Sequence, residues 1–205
     1  ELNDKAPEFT LKNTKKEDVS LSDFSDRSVV IAFYPGAFTG VCDTEMCTFQ
    51  DNLKSFNDLD ATVLGISVDS PWANAGFSDK YNLEFDLLSD IDRSVIKSYD
   101  VLFEGLGGIE GYTCANRAVF IVKNGDVKYK WVAPSPGEEP NYDEIQEKLK
   151  VRETKKKAAK AVSQATNVAS QTVRLASLNV PAAAINSKVQ AQAAADSAKK
   201  AAEAA

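Results

Sequence analysis

The sequence predicts an α/β fold in which helices flank a central mixed β-sheet, followed by an α-helical or partly disordered C-terminal tail. Short runs of Val, Ile, Leu and Phe recur through the first 150 residues, and stretches with helical spacing separate them. The composition then changes after about residue 152. We therefore divide the chain into a globular domain, residues 1–151, and a tail, residues 152–205.

The first predicted strand is SVVIAFY, residues 28–34, because its β-branched apolar run is typical of a buried central strand. Residues 39–59 follow with helical spacing, which places Phe49 and Phe56 on one face of a single helix. The run ATVLGISV, residues 61–68, predicts a second buried strand.

A second helix is predicted over SPWANAGFSDKYNL, residues 70–83. Ser70 has the hydroxyl of a helix N-cap, and Pro71 suits the first turn. FDLLSD, residues 85–90, then predicts a short strand, and DRSVIKSYDV, residues 92–101, a short helix.

A hairpin and a last helix complete the predicted domain. The runs RAVFIV, residues 117–122, and VKYKWV, residues 127–132, are rich in strand-forming residues, and the turn sequence NGD joins them. YDEIQEKLKV, residues 142–151, has the spacing of an amphipathic helix.

The tail is rich in alanine and lacks aromatic residues. Eighteen of the last 55 residues are Ala, which gives high helix propensity, and Pro181 is expected to divide the segment into two helices. A solvated extension fits this composition, as does a docking helix with a narrow apolar stripe. Binding to an anionic surface is a third possibility for a Lys- and Ala-rich helix. The stripe consists of Val162, Ala165, Ala169, Val173 and Ala176.

Charge divides the chain in the same way. Residues 1–150 carry 15 Lys+Arg and 27 Asp+Glu, whereas residues 151–205 carry 9 and 3. An acidic domain with a basic tail indicates two segments with different roles, and binding of a partner by the tail is one of the roles left open. We expect no transmembrane helix and no signal peptide, because no apolar run of about 18 residues and no N-terminal apolar region occur. We expect a cytoplasmic location, where thiols stay reduced.

The chain has three cysteines and no histidine, so we expect neither a metal site nor a cofactor. Cys42 and Cys47 lie in YPGAFTGVCDTEMC, where no imidazole can activate a thiol. Cys42 is predicted in the first turn of the helix that follows the first strand. There, free backbone N–H groups and the helix dipole favour an anion. Arg117 opens a later predicted strand and could supply further positive charge.

These residues resemble the peroxiredoxin family. Pro35, Thr39 and Cys42 reproduce its PxxxTxxC signature, and Arg117 in NRAVFIVKNGDV is similar to the family's distant arginine. The segments KAPEFTL, GISVDSPWA and FDLLSD extend the resemblance through the domain. AFTGVC resembles the one-cysteine alkyl hydroperoxide reductase E group and its archaeal relatives. The spacing from Cys42 to Cys47 resembles the bacterioferritin-comigratory, or Q-type, group.

The resemblance implies a thioredoxin-like fold and a thiol-dependent peroxidase for hydrogen peroxide and organic hydroperoxides. Cys42 would attack the peroxide and become a sulfenic acid. Thr39, the Cys42 N–H and Arg117 would donate hydrogen bonds to the two oxygens. Pro35 would shield the thiolate. Glu45 would orient Arg117 through a salt bridge, or act only as a first-turn carboxylate. The implied partners are the hydroperoxide, a thioredoxin-like or low-molecular-weight thiol reductant, and a second copy in a homodimer.

The residue that resolves the sulfenic acid stays open between Cys47, Cys114 and an external thiol. Five residues along an α-helix give a rise of ~7.5 Å and a rotation of ~500°, so Cys42 and Cys47 point about 140° apart. A disulfide between them requires the first turns to unwind, and Cys47 could equally serve only in packing. Cys114 lies three residues before Arg117, so its loop is expected to approach the active site or a dimer contact, and the four glycines of GLGGIEGYTC favour a mobile loop.

The sequence leaves one other function open and disfavours a second. In a redox-responsive binding or chaperone protein, oxidation of Cys42 would be the signal and the tail would recruit a partner. A thioredoxin-like disulfide reductase is disfavoured, because the chain contains no CxxC.

Overall fold

The computed structural model describes residues 2–150. The described part of the chain contains nine strands. In chain order they are β1 Thr10–Asn13, β2 Asp18–Ser20, β3 Ser28–Phe33, β4 Ala61–Ser67, β5 Asp86–Ser89, β6 Leu102–Glu104, β7 Thr113–Ala115, β8 Ala118–Lys123 and β9 Asp126–Val132.

The helices lie between these strands. They are α1 Gly40–Asp51, α2 Leu53–Asp58, α3 Pro71–Tyr81, α4 Ser94–Ser98 and a final helix, α5, over residues 142–150. Short 3-10 turns occupy Leu21–Phe24 and Leu106–Gly108. The predicted N-cap of α3 is confirmed, since Ser70 Oγ accepts a hydrogen bond from the N–H of Ala73 and Pro71 is the first helical residue.

Seven strands form one mixed sheet in the order β2-β1-β5-β4-β3-β8-β9, while β6 and β7 form a separate antiparallel hairpin. Strands β3, β4 and β5 are parallel, and β8 is antiparallel to β3. The carboxyl ends of β3 and β4 therefore lie at the same edge as the start of β8. The predicted mixed α/β sheet is confirmed.

The apolar core lies on both faces of the sheet. Every residue of β3 is buried, and alternate residues belong to opposite core clusters, with Val29 and Ile31 on one face and Val30 and Ala32 on the other. Helix α4 contributes to the first cluster, whereas α1, α2, α3 and α5 contribute to the second. Because helices cover both faces of the sheet, both sets of alternating side chains in β3 are buried, and its sequence is a continuous apolar run.

The prediction of one helix over residues 39–59 is wrong. The helix ends at Asp51, and Asn52, with φ −96° and ψ 1°, separates α1 from α2. The Asn52 side chain donates to the Thr48 carbonyl at 2.9 Å, a local bond that competes with helix continuation. Phe49 and Phe56 still pack together, with ring centroids 5.8 Å apart.

Four short strands were not predicted. Strands β1 and β2 add an antiparallel edge to the sheet, where alternate residues face the core. Strands β6 and β7 enclose the glycine-rich segment, in which Gly105, Gly107, Gly108 and Gly111 all have positive φ. Those four glycines permit a compact turn that other residues adopt only with strain.

The predicted tail, with its two helices and its boundary at residue 152, lies outside the described residues. Within residues 2–150, no helix combines the length and apolar character needed to cross a membrane.

Candidate active site

The site forms where the chain leaves β3 and enters α1. Thr39 is the N-cap of α1, so Cys42 is in the first helical turn, as the sequence predicts. Pro35, in the connecting loop, and Cys42 are both buried, with Cys42 only 1% exposed. The thiol therefore sits at the positive end of a 12-residue helix and is shielded from bulk water.

Strand register brings Arg117 to this helix end. Phe33 is paired with Ala118 in the antiparallel ladder, so Arg117 lies level with the first residue after β3. Its Nη2 donates a hydrogen bond to Cys42 Sγ at 3.3 Å. The predicted approach of residue 117 to the sulfur is confirmed.

Arg117 also forms a buried ion pair with Glu45, in which Nη1 donates to Glu45 Oε2. Its Nε and Nη2 donate to the Pro136 carbonyl at 3.2 and 3.0 Å. A single guanidinium is thus held by a carboxylate and a carbonyl while it contacts the sulfur. The predicted salt bridge is confirmed, and Pro136 is an anchor that sequence reasoning did not identify.

The electrostatics of this trio follow from burial. Burial raises the pKa of Glu45 to about 8, against the opposing effect of the Arg117 charge. Burial alone lowers the pKa of Arg117, but Glu45 and Cys42 outweigh it and leave that pKa raised. No described residue donates a hydrogen bond to the buried Glu45 Oε1. The guanidinium is therefore the permanent cation between two groups that can each become anionic.

Two of the predicted peroxide donors are already engaged. The Cys42 N–H donates to the Thr39 carbonyl at 2.8 Å, and Thr39 Oγ1 donates to the Gly36 carbonyl at 2.9 Å. The expectation of a free N–H at Cys42 is therefore wrong for this state, because the first turn closes on its own N-cap. A hydroxyl can rotate and an N–H can be shared between two acceptors, so neither bond prevents the group from donating to a second acceptor.

The loop before α1 has one non-glycine residue with positive φ. Phe38 has φ 62° and is 51% exposed, yet its ring packs edge-on against Phe77 at 5.3 Å between centroids. Lys80 Nζ lies 5.3 Å from the Phe38 ring centroid. Helix α3 therefore supports the loop from outside, through an aromatic contact that compensates backbone strain.

Cys47 shares the unbroken helix α1 with Cys42, so the geometric obstacle to a disulfide between them is present. Cys47 is half-buried, and burial, followed by Asp51 and Asp43, raises its pKa. Cys114 is buried in β7, where burial, followed by the charge on Cys42, raises its pKa to about 11. All three thiols are free.

Sequence reasoning did not identify Asp69, which follows β4 and accepts a hydrogen bond from the N–H of Ala37 at 2.8 Å. The signal was available, since a polar residue after a buried strand lies at the edge where neighbouring parallel strands also end. Among residues 2–150, no three His, Cys, Asp or Glu side chains are grouped to hold a metal ion.

Comparison with known proteins gives consistent relationships. A sequence profile described as the AhpC/TSA family matches residues 2–130. Peroxiredoxin Bcp of Bacillus subtilis is 37% identical over 134 residues, which cover 64% of this chain and 84% of that protein. A putative peroxiredoxin bcp of Coxiella burnetii is 36% identical over 132 residues, covering 64% and 87%. The crystal structure of a Xylella fastidiosa PrxQ mutant superposes with a TM-score of 0.65 at 26% identity, covering 74% and 96%.

Proposed function

Since the chain belongs to the AhpC/TSA family of peroxiredoxins, we propose that Cys42 is the thiol that reduces the hydroperoxide. The protein is a thiol-dependent peroxidase with a thioredoxin-like α/β fold. The observation that supports the assignment of Cys42 is its 3.3 Å contact with Nη2 of Arg117 at the start of α1. Among the described residues, no cation donates a hydrogen bond to Cys47 or Cys114, although the charge of Arg93 acts on Cys114.

The reaction transfers two electrons from sulfur to the peroxide. The Cys42 thiolate attacks the terminal oxygen, the S–O bond forms, and the O–O bond breaks. The sulfur becomes a sulfenic acid, and the departing alkoxide or hydroxide takes a proton and leaves as alcohol or water. Negative charge moves from sulfur to the departing oxygen, so donors aimed at both atoms lower the barrier.

Arg117 is the donor best placed for this charge shift. Its position is fixed by Glu45 and the Pro136 carbonyl, so little reorganisation is needed when the peroxide arrives. Thr39 Oγ1 would rotate from the Gly36 carbonyl to the peroxide, and the Cys42 N–H would be shared with it. Pro35 lacks an N–H and is buried, so it helps to exclude water from the sulfur.

We propose Cys47 as the resolving cysteine, with Cys114 as the rival. The Cys47 thiol is half-buried, and its attack on the sulfenic acid would form a disulfide and release water once the first turns of α1 unwind. Cys114 is less suited, since it is buried with a pKa of about 11. If neither attacks, an external thiol does so. A mass map of disulfides after one equivalent of peroxide distinguishes these routes.

The test of the assignment is a stopped-flow experiment on the reduced protein. Cys42→Ser should abolish rapid peroxide consumption, whereas Cys47→Ser and Cys114→Ser should retain the first oxidation step. Steady-state turnover with a thiol reductant should equal the parent rate only in a variant that keeps both Cys42 and the cysteine that attacks its sulfenic acid. Rapid consumption by Cys42→Ser would contradict the assignment.

We also propose the finer properties of the system. The reductant is a thioredoxin-like protein or a small thiol, and the protein forms a homodimer in the cytoplasm, where three free cysteines are compatible with reducing conditions. Size-exclusion chromatography with light scattering tests the dimer. The alternative of a chaperone or redox-responsive binding protein depended on the tail, and no relative named above is described in that way.

A further inference from the structure

Asp69 holds the active-site loop from a neighbouring strand. The loop is residues 35–39, and the N–H of Ala37, at its centre, donates to Asp69 Oδ2 at 2.8 Å. The loop's internal side-chain bond joins Thr39 Oγ1 to the Gly36 carbonyl. Asp69 comes two residues after β4, so it connects the segment that carries Thr39 to the rigid centre of the sheet.

Asp69 is itself fixed by buried groups. Ser67 Oγ, fully buried at the end of β4, donates to Asp69 Oδ2 at 2.9 Å and accepts the Asp69 N–H at 3.2 Å. Below it, Asn74 accepts a hydrogen bond from Tyr34 Oη at 2.8 Å and donates to Ser89 Oγ at 3.1 Å. Ser67 Oγ also lies 3.3 Å from Asn74 Oδ1, so the network joins the ends of β3 and β4 to β5 and α3.

Three side chains border the space beside Gly36. A methyl group there would lie 3.7 Å from Asp69 Oδ2, 3.6 Å from Tyr112 Oη and 3.9 Å from the Thr39 methyl group. The carboxylate, the tyrosine and the threonine therefore pack around one residue. A displacement of Asp69 would reach Thr39 through the loop backbone, since the Ala37 N–H is bonded to the carboxylate.

The charge of Asp69 works against anion formation nearby. After burial, it is among the causes that raise the pKa of Tyr112 and of Cys114. A negative charge does not help a site that must stabilise a thiolate and a developing alkoxide. We therefore attribute the role of Asp69 to the hydrogen bonds that its carboxylate accepts, and not to its negative charge.

We propose that Asp69 is a positioning residue, which holds residues 35–39 in the conformation where Thr39 and Cys42 can meet a hydroperoxide together. The inference rests on the proposed function of Cys42. The inference goes further than that function, because it predicts that a residue outside the PxxxTxxC signature sets the geometry of attack while bonding to neither reacting atom.

The test compares two reactions of Cys42 in the full chain. Hydroperoxide reduction needs the loop donors in place, whereas alkylation by iodoacetamide reports only on the thiolate. Asp69→Ala should lower the hydroperoxide rate roughly 10- to 100-fold and change the alkylation rate by less than about threefold. Asp69→Asn keeps an oxygen that can accept the Ala37 N–H, so it should restore most of the rate. The exposed Asp79, on α3, gives the matched control Asp79→Ala.

A second variant and a second readout keep the outcome decisive. Asp69→Glu retains the charge but displaces the acceptor, so it should also slow hydroperoxide reduction, and it serves if Asp69→Ala does not fold. Hydrogen exchange of the Ala37 amide should accelerate in Asp69→Ala and stay slow in Asp69→Asn. The exchange measurement does not depend on activity, so it tests the loop even if Cys42 proved not to be the reacting thiol.

Two results would overturn the inference. One is an unchanged hydroperoxide rate with unchanged Ala37 exchange in a folded Asp69→Ala. The other is an equal fall in both reactions of Cys42, which would assign Asp69 an effect on the thiolate and not on the loop.

Discussion

Arg117 must satisfy three acceptors with one planar group: Cys42 Sγ, Glu45 Oε2 and the Pro136 carbonyl. A guanidinium can do this because its donors diverge in a fixed plane. A lysine ammonium keeps the charge but is a point donor on a flexible chain. The shape of the cation is therefore as important as its sign.

Arg117→Lys should lower the rate of hydroperoxide reduction by roughly 100-fold, in the range found when a preorganised donor is lost. The measurement is single-turnover oxidation of the reduced protein. Arg27→Lys is the matched control, since Arg27 is partly exposed and lies just before β3, at the opposite end of that strand. An Arg117→Lys rate within about threefold of the parent would mean that charge alone is sufficient.

Glu45 makes stability depend on pH. Burial raises the pKa of Glu45 from the ordinary value of 4.5 to about 8, although Arg117 opposes the rise, so the folded state holds the proton more tightly than the unfolded chain. The ion pair with Arg117 is therefore complete only above that pH. The stabilisation from this raised pKa is complete below about 4.5 and is lost as pH rises through about 8. Glu45→Gln has no carboxyl group to titrate at this position, so its free energy of unfolding lacks this dependence on pH.

The expected result is that the free energy of unfolding of the parent, minus that of Glu45→Gln, falls steadily between about pH 5 and pH 8. Urea unfolding of both reduced proteins at several pH values measures it. A difference that is constant or rises with pH would show that the Arg117 charge keeps Glu45 ionised throughout this range.

At the scale of elements, the parts of the fold that could be predicted have strong local signals. Strands β3 and β4 are continuous apolar runs, and α3 begins with a recognisable Ser-Pro cap. The break between α1 and α2 could not be read from spacing, because Phe49 and Phe56 keep a helical register across Asn52. The edge strands are short and half-polar, so only pairing with a neighbour makes them strands.

The same distinction applies to the site. Cys42, Thr39 and Arg117 could be placed because a signature, a helix start and a strand start define them. Pro136 could not, since it acts through a contact made only in three dimensions. Asp69 had a positional signal, because it follows a buried strand, but its bond to the Ala37 N–H could not be predicted from residue types. The bond between the Cys42 N–H and the Thr39 carbonyl likewise depends on how the first turn closes, which residue types do not determine.

Helix α1 should open when Cys42 and Cys47 join. The two cysteines lie on one unbroken helix, so a disulfide requires at least the turn between them to unwind. One equivalent of peroxide should therefore reduce the far-UV helical signal and accelerate amide exchange over residues 40–47 in the parent. Cys47→Ser should show neither change, while Cys114→Ser, the control, should behave as the parent does. If helix α1 also opens in Cys47→Ser, oxidation of Cys42 alone is sufficient to cause the change.

For the whole molecule, the distribution of charge separates two segments. Residues 1–150 have 12 more acidic than basic groups and residues 151–205 have 6 more basic than acidic groups, which together give the net charge of −6. Each residue assigned to the site falls between positions 35 and 136. Helix α5 contributes to the core through Ile145 and Leu149, so the domain includes that helix.

Removal of residues 152–205 should therefore leave peroxidase activity within about threefold of the parent, because no proposed donor, thiol or anchor is deleted. An effect of the lost positive charge itself should weaken at high salt, because salt screens interactions between charged groups. The measurement is the stopped-flow rate of full-length and truncated chains, at low and high salt, with circular dichroism to verify folding. A control chain that ends at residue 140 lacks α5 and should lose stability as well as activity. A folded chain of residues 1–151 with more than about a tenfold loss at both salt concentrations would mean that the tail supplies part of the active site.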